Sequence, residues 1–361
     1  MSIKQSLFGR GSRELIGLDI SSSAVKLLEL GKRGDRYSVE AYAVEPLPPN
    51  VVNDKQITDP RAVGEVIVRA LNRAGTRTRQ VAVAVAGSSV ITKIIGMPQS
   101  LKENDMEEQI KAEADQYIPY PIDEVNLDFQ VLGPSAREKD TVDVLLAACR
   151  KEQVETRIAA LEIAGLKPLV VDIEAYALEN ACQFLTHQMP AQGAGETVAV
   201  VDVGASTTSL LVLHDLQTIY TRDQAFGGKQ LTEDIMRFYG MSYDEAGKAK
   251  RLGNLPNNYE SEVLTHFIAD MAQQIDRSLQ FFFAAASRHN VIDQLILAGG
   301  CAHIPGVYAA IQKRLQIPCV IAQPFSKMSI GSRAKPAQLG QDEASMLIAA
   351  GLALRAFDPE D

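Results

Sequence analysis

Two Asp-centred turns hold the residues whose types and spacing could do chemistry. Ile16-Gly17-Leu18-Asp19-Ile20-Ser21-Ser22 and Val200-Val201-Asp202-Val203-Gly204-Ala205-Ser206-Thr207 lie about half a chain apart, each entered from an apolar run. Each reads as a buried strand, an acidic residue and a bend of small residues whose N–H groups and hydroxyls form an anion-binding concavity. A carboxylate from each turn, Asp19 and Asp202, would hold Mg²⁺ through water while the two bends cradle phosphates from opposite sides. One such turn alone does no more than close a hairpin. Its recurrence in both halves points to phosphate binding, and two such turns can grip one nucleotide.

The turns need elements to hold them. After the first, Val25 to Leu30 and Tyr37 to Ala43 read as an antiparallel hairpin joined through Gly31 to Gly34. Proline-rich Glu45 to Asn50 is a connection. Asp59-Pro60 then opens a helix as N-cap and first residue, with Val63, Val66, Ile67, Ala70 and Leu71 on one face and Gly75 closing it. Val81 to Ala86 reads as a buried strand and Ile91 to Met97 as a second one before Pro98. Ser100-Leu101-Lys102-Glu103 has capping-box spacing, for a helix presenting Met106, Ile110, Ala114 and Tyr117 that stops near Pro119-Tyr120-Pro121. With strands over Val125 to Leu132 and Val142 to Ala148, residues 81–152 form a β-β-α-β-β unit that reads as an insertion.

Val154 to Ala164 is a helix ended by Gly165, Pro168 to Asp172 a strand, and Ala175 to about Thr186 the helix it feeds. Gln192-Gly193-Ala194-Gly195 is the clearest linker. Beyond it the theme of the first half repeats: a strand to Asp202, the bend, then strands over Ser209 to Leu213 and Gln217 to Arg222. Two related lobes facing a cleft are expected. Glu260 to about Ser287 is the longest helix, with Val263, Phe267, Met271, Ile275, Leu279 and Phe282 in register, and Phe281-Phe282-Phe283 reads as packing. Val291 to Leu297 is a strand running into Ala298-Gly299-Gly300, followed by a helix through Tyr308, Ile311 and Leu315; Glu343 to Arg355 is the closing helix.

At 361 residues the chain exceeds the usual single domain, so two domains or a bilobed body with an ample core are expected. A formal charge of −9 argues against nucleic acid or an anionic bilayer as the main partner, since both would repel most of the surface. The basic cluster Arg73 to Arg79 follows a helix end, where cations complement the macrodipole. Cys149, Cys182, Cys301 and Cys319 show no C-x-x-C spacing and the histidines no metal-ligand pattern, which fits free thiols in a reducing cytoplasm. No segment has the roughly 18 unbroken apolar residues of a membrane span, and the N-terminus lacks a secretory apolar core. The chain is expected to stay in the cytosol, with Ser2 to Arg10 as a frayed, faintly amphipathic start.

Turn, helix, turn and a late strand ending in Gly-Gly, in this order, resemble the actin-like ATPase superfamily, which includes actin, Hsp70 chaperones, sugar kinases and the division protein FtsA. The inserted unit is similar to that of FtsA. Glu113 to Pro121, Asp172 to Glu179 and Phe226 to Thr232 resemble the PilM family, the actin-like component of type IV pilus assembly, and the likeness runs from about Leu15 to the final helix. It implies an α/β, bilobed, actin-like (ribonuclease H-like) fold with an FtsA-type inserted subdomain. On this plan residues 1–80, 153–190 and 335–361 form the first-lobe core and 81–152 the insertion. Residues 191–226 and 288–334 form the second-lobe core, with 227–287 its helical subdomain.

The resemblance also assigns roles. Asp19 matches the acidic residue of the first phosphate motif, with Ser21, Ser22 and Ser23 in its bend. Lys26 matches the lysine that actin places against phosphates; the other reading is a strand lysine facing solvent. Asp202, Gly204, Ala205, Ser206 and Thr207 match the second phosphate motif. Glu174 sits where Hsp70-like members carry an acidic residue near the attacking water, a role that competes with capping the next helix. Gly299 and Gly300 match the adenosine motif, where missing side chains let a nucleotide lie against backbone, and also suit a turn needing positive φ. Gly227 and Gly228 match the turn before the second-lobe helix, and Lys250 falls beside the ribose unless it is a solvated helix lysine. Ser21 replaces a glycine common in relatives, and Gly247 replaces the ribose-binding Glu of Hsp70, departures that point to binding rather than fast turnover.

Taken together, the resemblance implies a cytoplasmic scaffold that takes ATP and Mg²⁺, with weak or no ATPase activity. It further implies capture of the cytoplasmic N-terminal segment of PilN in a groove between the first lobe and the insertion. The chain would thereby link the periplasmic alignment complex to the cytoplasmic motor ATPases, touching the inner membrane only through PilN. A homodimer or higher oligomer is compatible with this reading. Tyr117, Tyr120 and Phe129 either line that groove or pack in the core. The alternatives are a filament-forming, FtsA-like cytoskeletal ATPase and a small-molecule kinase. The kinase requires a substrate pocket with a positioned base, which no residue supplies.

Overall fold

A computed structural model describes residues 14–136, 138–286 and 291–358; the expectations for Ser2 to Arg10 and for a helix end at Ser287 lie outside them. The chain begins with a meander: β1 (Ile16–Ile20), β2 (Ala24–Arg33) and β3 (Arg36–Pro46). All of β1 is buried because it lies mid-sheet, between β2 and a parallel strand. A small hairpin, β4 (Val52–Asn53) and β5 (Gln56–Ile57), precedes α1 (Pro60–Ala74). As expected, the Asp59 side chain accepts from Ala62 N, Pro60 opens the helix and Gly75 ends it.

β6 (Gln80–Val85) pairs in parallel with β1, and β10 (Lys167–Ile173) pairs in parallel with β6. Between them lie β7 (Val90–Pro98), α2 (Glu103–Ala112), β8 (Val125–Pro134), β9 (Thr141–Arg150) and α3 (Lys151–Ile163). The first strand expected in the insertion therefore belongs to the first-lobe sheet, and the inserted sheet has the order β7-β9-β8. The capping box at Ser100 does not form. Ser100 is spent in the turn after β7, and Lys102 takes the cap position with no side-chain hydrogen bond. Met106, Ile110 and Ala114 are buried as expected.

After α4 (Glu174–Ala181) the expected linker is a tight turn, with Ala191 and Gln192 at positive φ and Gly193 packed under Leu216. The second lobe repeats the first: β11 (Thr197–Val203), β12 (Thr208–His214) and β13 (Gln217–Gln224) form the meander. α5 (Gly228–Tyr239), α6 (Tyr243–Leu252) and α7 (Thr265–Ala285) follow, then β14 (Gln294–Ala298), α8 (Val307–Leu315) and β15 (Cys319–Ile321). The chain returns through β16 (Ser329–Ile330), α9 (Pro336–Asp342) and α10 (Leu347–Leu354). The expected helix from Glu260 starts as a π turn over Glu260–Leu264 before α7, whose stripe from Phe267 to Phe282 is buried. Phe281 is exposed beneath the Arg222 guanidinium, a packing role.

The sheets run β10-β6-β1-β2-β3-β16 and β13-β12-β11-β14-β15. Apart from β16, which pairs with β3 rather than joining the second lobe as its position in the chain suggested, the two orders are the same. Each meander is antiparallel, each central strand is flanked by a parallel one, and each second hairpin carries one irregularity, at Glu29/Leu30 and at Val212/Leu213. One apolar core runs through both sheets, from Leu28 and Val39 to Val200 and Leu297. α10 is buried along its whole length. It packs so closely that a Cβ on Gly351 would sit 1.7 Å from Ala177 O, and one on Gly17 would sit 2.2 Å from Ala349 O.

Candidate functional site

The first turn neutralises its own acid. Asp19 is 3% exposed near the end of β1, and the antiparallel register places Lys26 of β2 directly opposite. Lys26 Nζ lies 3.0 Å from Asp19 Oδ2, so this lysine faces the site rather than solvent. Burial opposes its charge, but Asp19 and Asp202 outweigh burial and hold the ammonium above the usual lysine range. Ser21 Oγ donates to Ala24 O at 2.8 Å and accepts from Ala24 N at 3.2 Å, so its hydroxyl closes the bend. Ser22 and Ser23 are left on the cleft wall.

The second turn repeats the geometry without the lysine, since Ser209 stands opposite Asp202. Gly228 N donates to Gly204 O at 3.0 Å and Lys229 N to Ala205 O at 2.8 Å, so the bend is stitched to the start of α5. Gly227 is required by that approach: a Cβ there would lie 2.5 Å from Ala205 O. Thr207 O accepts from Gly204 N at 2.9 Å and closes the bend. Ser22 Oγ and Ser206 Oγ are 2.7 Å apart, so the two bends meet across the lobes.

Asp202 carries the strain of this arrangement. Burial pushes its carboxyl up, Lys26 and Lys55 pull it down, and Asp19 and Asp223 push it up further; the sum lies above the usual range. A carboxyl with a raised folded pKa contributes stability only while protonated, and loses it as pH rises through that folded value. At neutral pH Asp202 thus weighs against folding. Asp202→Asn is expected to melt above the parent protein at neutral pH in chelator, with the gap closing as pH falls through the carboxylate range. Equal melting curves at neutral pH would contradict this.

A cleft of about 640 Å³ lies over the two bends, walled by Ser22, Gly204 to Ser206, Gly228, Lys250, Gly300 and Cys301. Gly299 lies behind it, at φ +88°, where a Cβ would meet Val203 O at 2.3 Å and Asp202 Oδ1 at 2.4 Å. Lys250 Nζ donates to Gly228 O at 2.9 Å and Thr232 Oγ1 at 2.6 Å, neither of them a carboxylate. Burial lowers its pKa, with Arg251 adding to the fall and Cys301 opposing it. Among the described residues its hydrogen-bond partners are neutral oxygens, and a cation so held on a cleft wall suits an anionic guest. Gly247 lines the same wall.

The capping role that competed for Glu174 does not form. The residue is the first of α4 and receives Lys55 Nζ at 2.5 Å. Glu174 holds the Lys55 ammonium above the usual lysine range against the opposing effect of burial. Asp54 and Lys55, at φ +46° and +67°, form the two-residue turn of the β4–β5 hairpin. Sequence reasoning missed Lys55, Arg157 and Cys301. Asn53-Asp54 between apolar residues was a hairpin signal for the first; the other two had none. Tyr117 and Phe129 pack against the core of the insertion, whereas Tyr120 is exposed beneath Arg150.

Among the described residues no group of three His, Cys, Asp or Glu side chains is placed to bind a metal directly. Asp19 and Asp202, at the ends of the strands that enter the two bends and within electrostatic reach of each other, fit an ion held through water. Gly227 and Gly299 serve close packing within the protein, whereas Gly300, on the cleft wall with open space at its Cβ position, fits a nucleotide laid on backbone.

Two lobes of one strand order, each giving an acidic turn to a shared cleft, define the actin-like ATPase fold. The family of type IV pilus assembly protein PilM matches residues 17–357, and the chain belongs to it. It is 30% identical to a chain of the PilM–PilN type IV pilus biogenesis complex, over 97% of this chain and 100% of that one, with a TM-score of 0.79. The ethanolamine utilization protein EutJ of Carboxydothermus hydrogenoformans shares the fold at 14% identity, over 97% and 91% of the two chains, with a TM-score of 0.53. MreB5 of Spiroplasma citri bound to AMPPNP shares it at 13% identity, over 95% of each chain, with a TM-score of 0.50. No described helix is long and apolar enough to cross a membrane.

Proposed function

We propose that this chain is an ATP-binding scaffold of type IV pilus assembly that binds the cytoplasmic N-terminal segment of PilN. The observation that carries the nucleotide site is the meeting of the two bends, Ser22 Oγ to Ser206 Oγ, at a cleft whose wall includes the Lys250 ammonium. Mg²⁺, when bound, supplies the positive charge that neutralises phosphate oxygens. Asp202 is its principal anchor, because Lys26 already neutralises Asp19. Slow or absent hydrolysis accords with Ser21 in place of a glycine in the first phosphate turn and with Gly247 in place of a ribose-binding Glu.

The relative at 30% identity comes from a PilM–PilN complex, which supports the same partner here. The inserted sheet has β7 and β8 as outer strands, and an extended peptide can add to such an edge by backbone pairing while side-chain pockets set specificity. Binding there recruits the protein to the inner face of the inner membrane and ties it to the motors. Nucleotide biases this contact only as far as it prefers one lobe closure.

The test is a calorimetric titration of Mg-ATP into the protein and into Asp202→Ala. Saturable heat that falls at least about 10-fold in affinity in the variant is expected, from loss of a charge-assisted contact. No heat from folded, nucleotide-free parent protein would overturn the nucleotide site.

A further inference from the structure

Lys55 stands apart from the motif residues and yet belongs to their charge cluster. Its neighbours Asn53 and Asp54 line the cleft, while its own side chain turns to Glu174 at the start of α4. Asp19 and Asp202 are close enough to favour its charge, so the ammonium lies within electrostatic reach of both acidic turns. Three carbonyls fix the Arg157 side chain, and through it the turn. Arg157 Nη2 donates to Lys55 O at 3.0 Å, Nε to Ala84 O at 2.7 Å and Nη1 to Gln153 O at 2.8 Å. The backbone of Lys55 is thereby pinned, and its four-carbon stem is the part left to redirect.

We propose that Lys55 senses the terminal phosphate of a nucleoside triphosphate, with Glu174 and that phosphate competing for one ammonium. This inference rests on the reading of the cleft as a nucleotide site. A terminal phosphate carries more charge than a single carboxylate and, if held between the two bends beside Asn53 and Asp54, would draw the ammonium more strongly. A diphosphate lacks the competing group and leaves the Lys55–Glu174 pair intact. The pair thus discriminates triphosphate from diphosphate, and the energy of breaking it is subtracted from triphosphate affinity.

The experiment is calorimetry with Mg-ATP and Mg-ADP on the full chain, on Lys55→Met, on Glu174→Gln and on the double variant. Lys55→Met should weaken Mg-ATP about 10-fold and leave Mg-ADP nearly unchanged. Glu174→Gln should tighten Mg-ATP roughly threefold or more, because the competitor loses its charge while the side-chain shape is kept. The double variant should behave as Lys55→Met, since the effect of Glu174 runs through Lys55. A merely structural pair predicts the opposite sign for Glu174→Gln, and this variant's sign decides the case even if Lys55→Met does not fold. Unchanged or weakened Mg-ATP binding by Glu174→Gln, with the parent binding normally, overturns this inference alone. No binding by the parent overturns the cleft reading and this inference with it.

Discussion

Replacing Arg157 by Met is expected to lower the unfolding free energy of the first lobe by about 3 kcal/mol or more. Arg157 is 1% exposed, among the most buried large side chains in the molecule. Its neutral partners are the Ala84, Lys55 and Gln153 carbonyls, from the end of β6, the β4–β5 turn and α3 itself. Burial lowers its pKa, with Glu174 and then Cys149 partly offsetting the fall, so the charge is tolerated for the bonds it makes. Met fills much of the volume but leaves the Ala84 and Lys55 carbonyls without donors, at about 1–3 kcal/mol each. Lysine does not rescue the site, because a point-like ammonium cannot span carbonyls that a planar fork reaches together. Urea denaturation followed by far-UV circular dichroism measures the loss; a change below about 1 kcal/mol would show that water or a shifted turn satisfies those carbonyls.

Arg157 also marks the limit of what was legible beforehand. Asp19 and Asp202 were readable because an apolar strand running into an acid and small residues is a local pattern, and it occurs twice. Lys26 needed only the hairpin, since an antiparallel register fixes which residue faces Asp19. Arg157 instead sits on a helix whose charged residues spread around it, and nothing local says that one of them turns inward. Lys55 and Glu174 are 119 residues apart, and their meeting depends on β10 lying in parallel beside β6. The same non-locality misplaced Gln80 to Val85. A short buried run reveals a strand but not its sheet, and parallel neighbours are joined by long crossovers rather than turns. At Ser100 the motif was local and still failed, because the turn after β7 used the serine before the helix began.

Adjacent glycines at the end of β14 should separate folding from binding. Gly299→Ala places a methyl 2.3 Å from Val203 O and 2.4 Å from Asp202 Oδ1, at φ +88°, a region that L side chains rarely adopt. Neither the backbone carbonyl nor the acidic turn has room to yield, because β11 is held by β12 on one side and β14 on the other. Overpacking against backbone together with positive φ should cost about 2–4 kcal/mol and displace Asp202, so that both stability and Mg-ATP binding fall. A Cβ on Gly300 meets nothing within 4 Å, and the residue lines the cleft. Gly300→Leu should therefore melt within a few degrees of the parent, a shift of about 0.5 kcal/mol, yet lose Mg-ATP binding because its side chain fills space meant for the guest. Thermal melts and calorimetry on the two variants test this directly. Normal Mg-ATP affinity in a folded Gly300→Leu protein would place the nucleotide away from this strand end, and a stable Gly299→Ala protein would mean that the two central strands can part more easily than their pairing suggests.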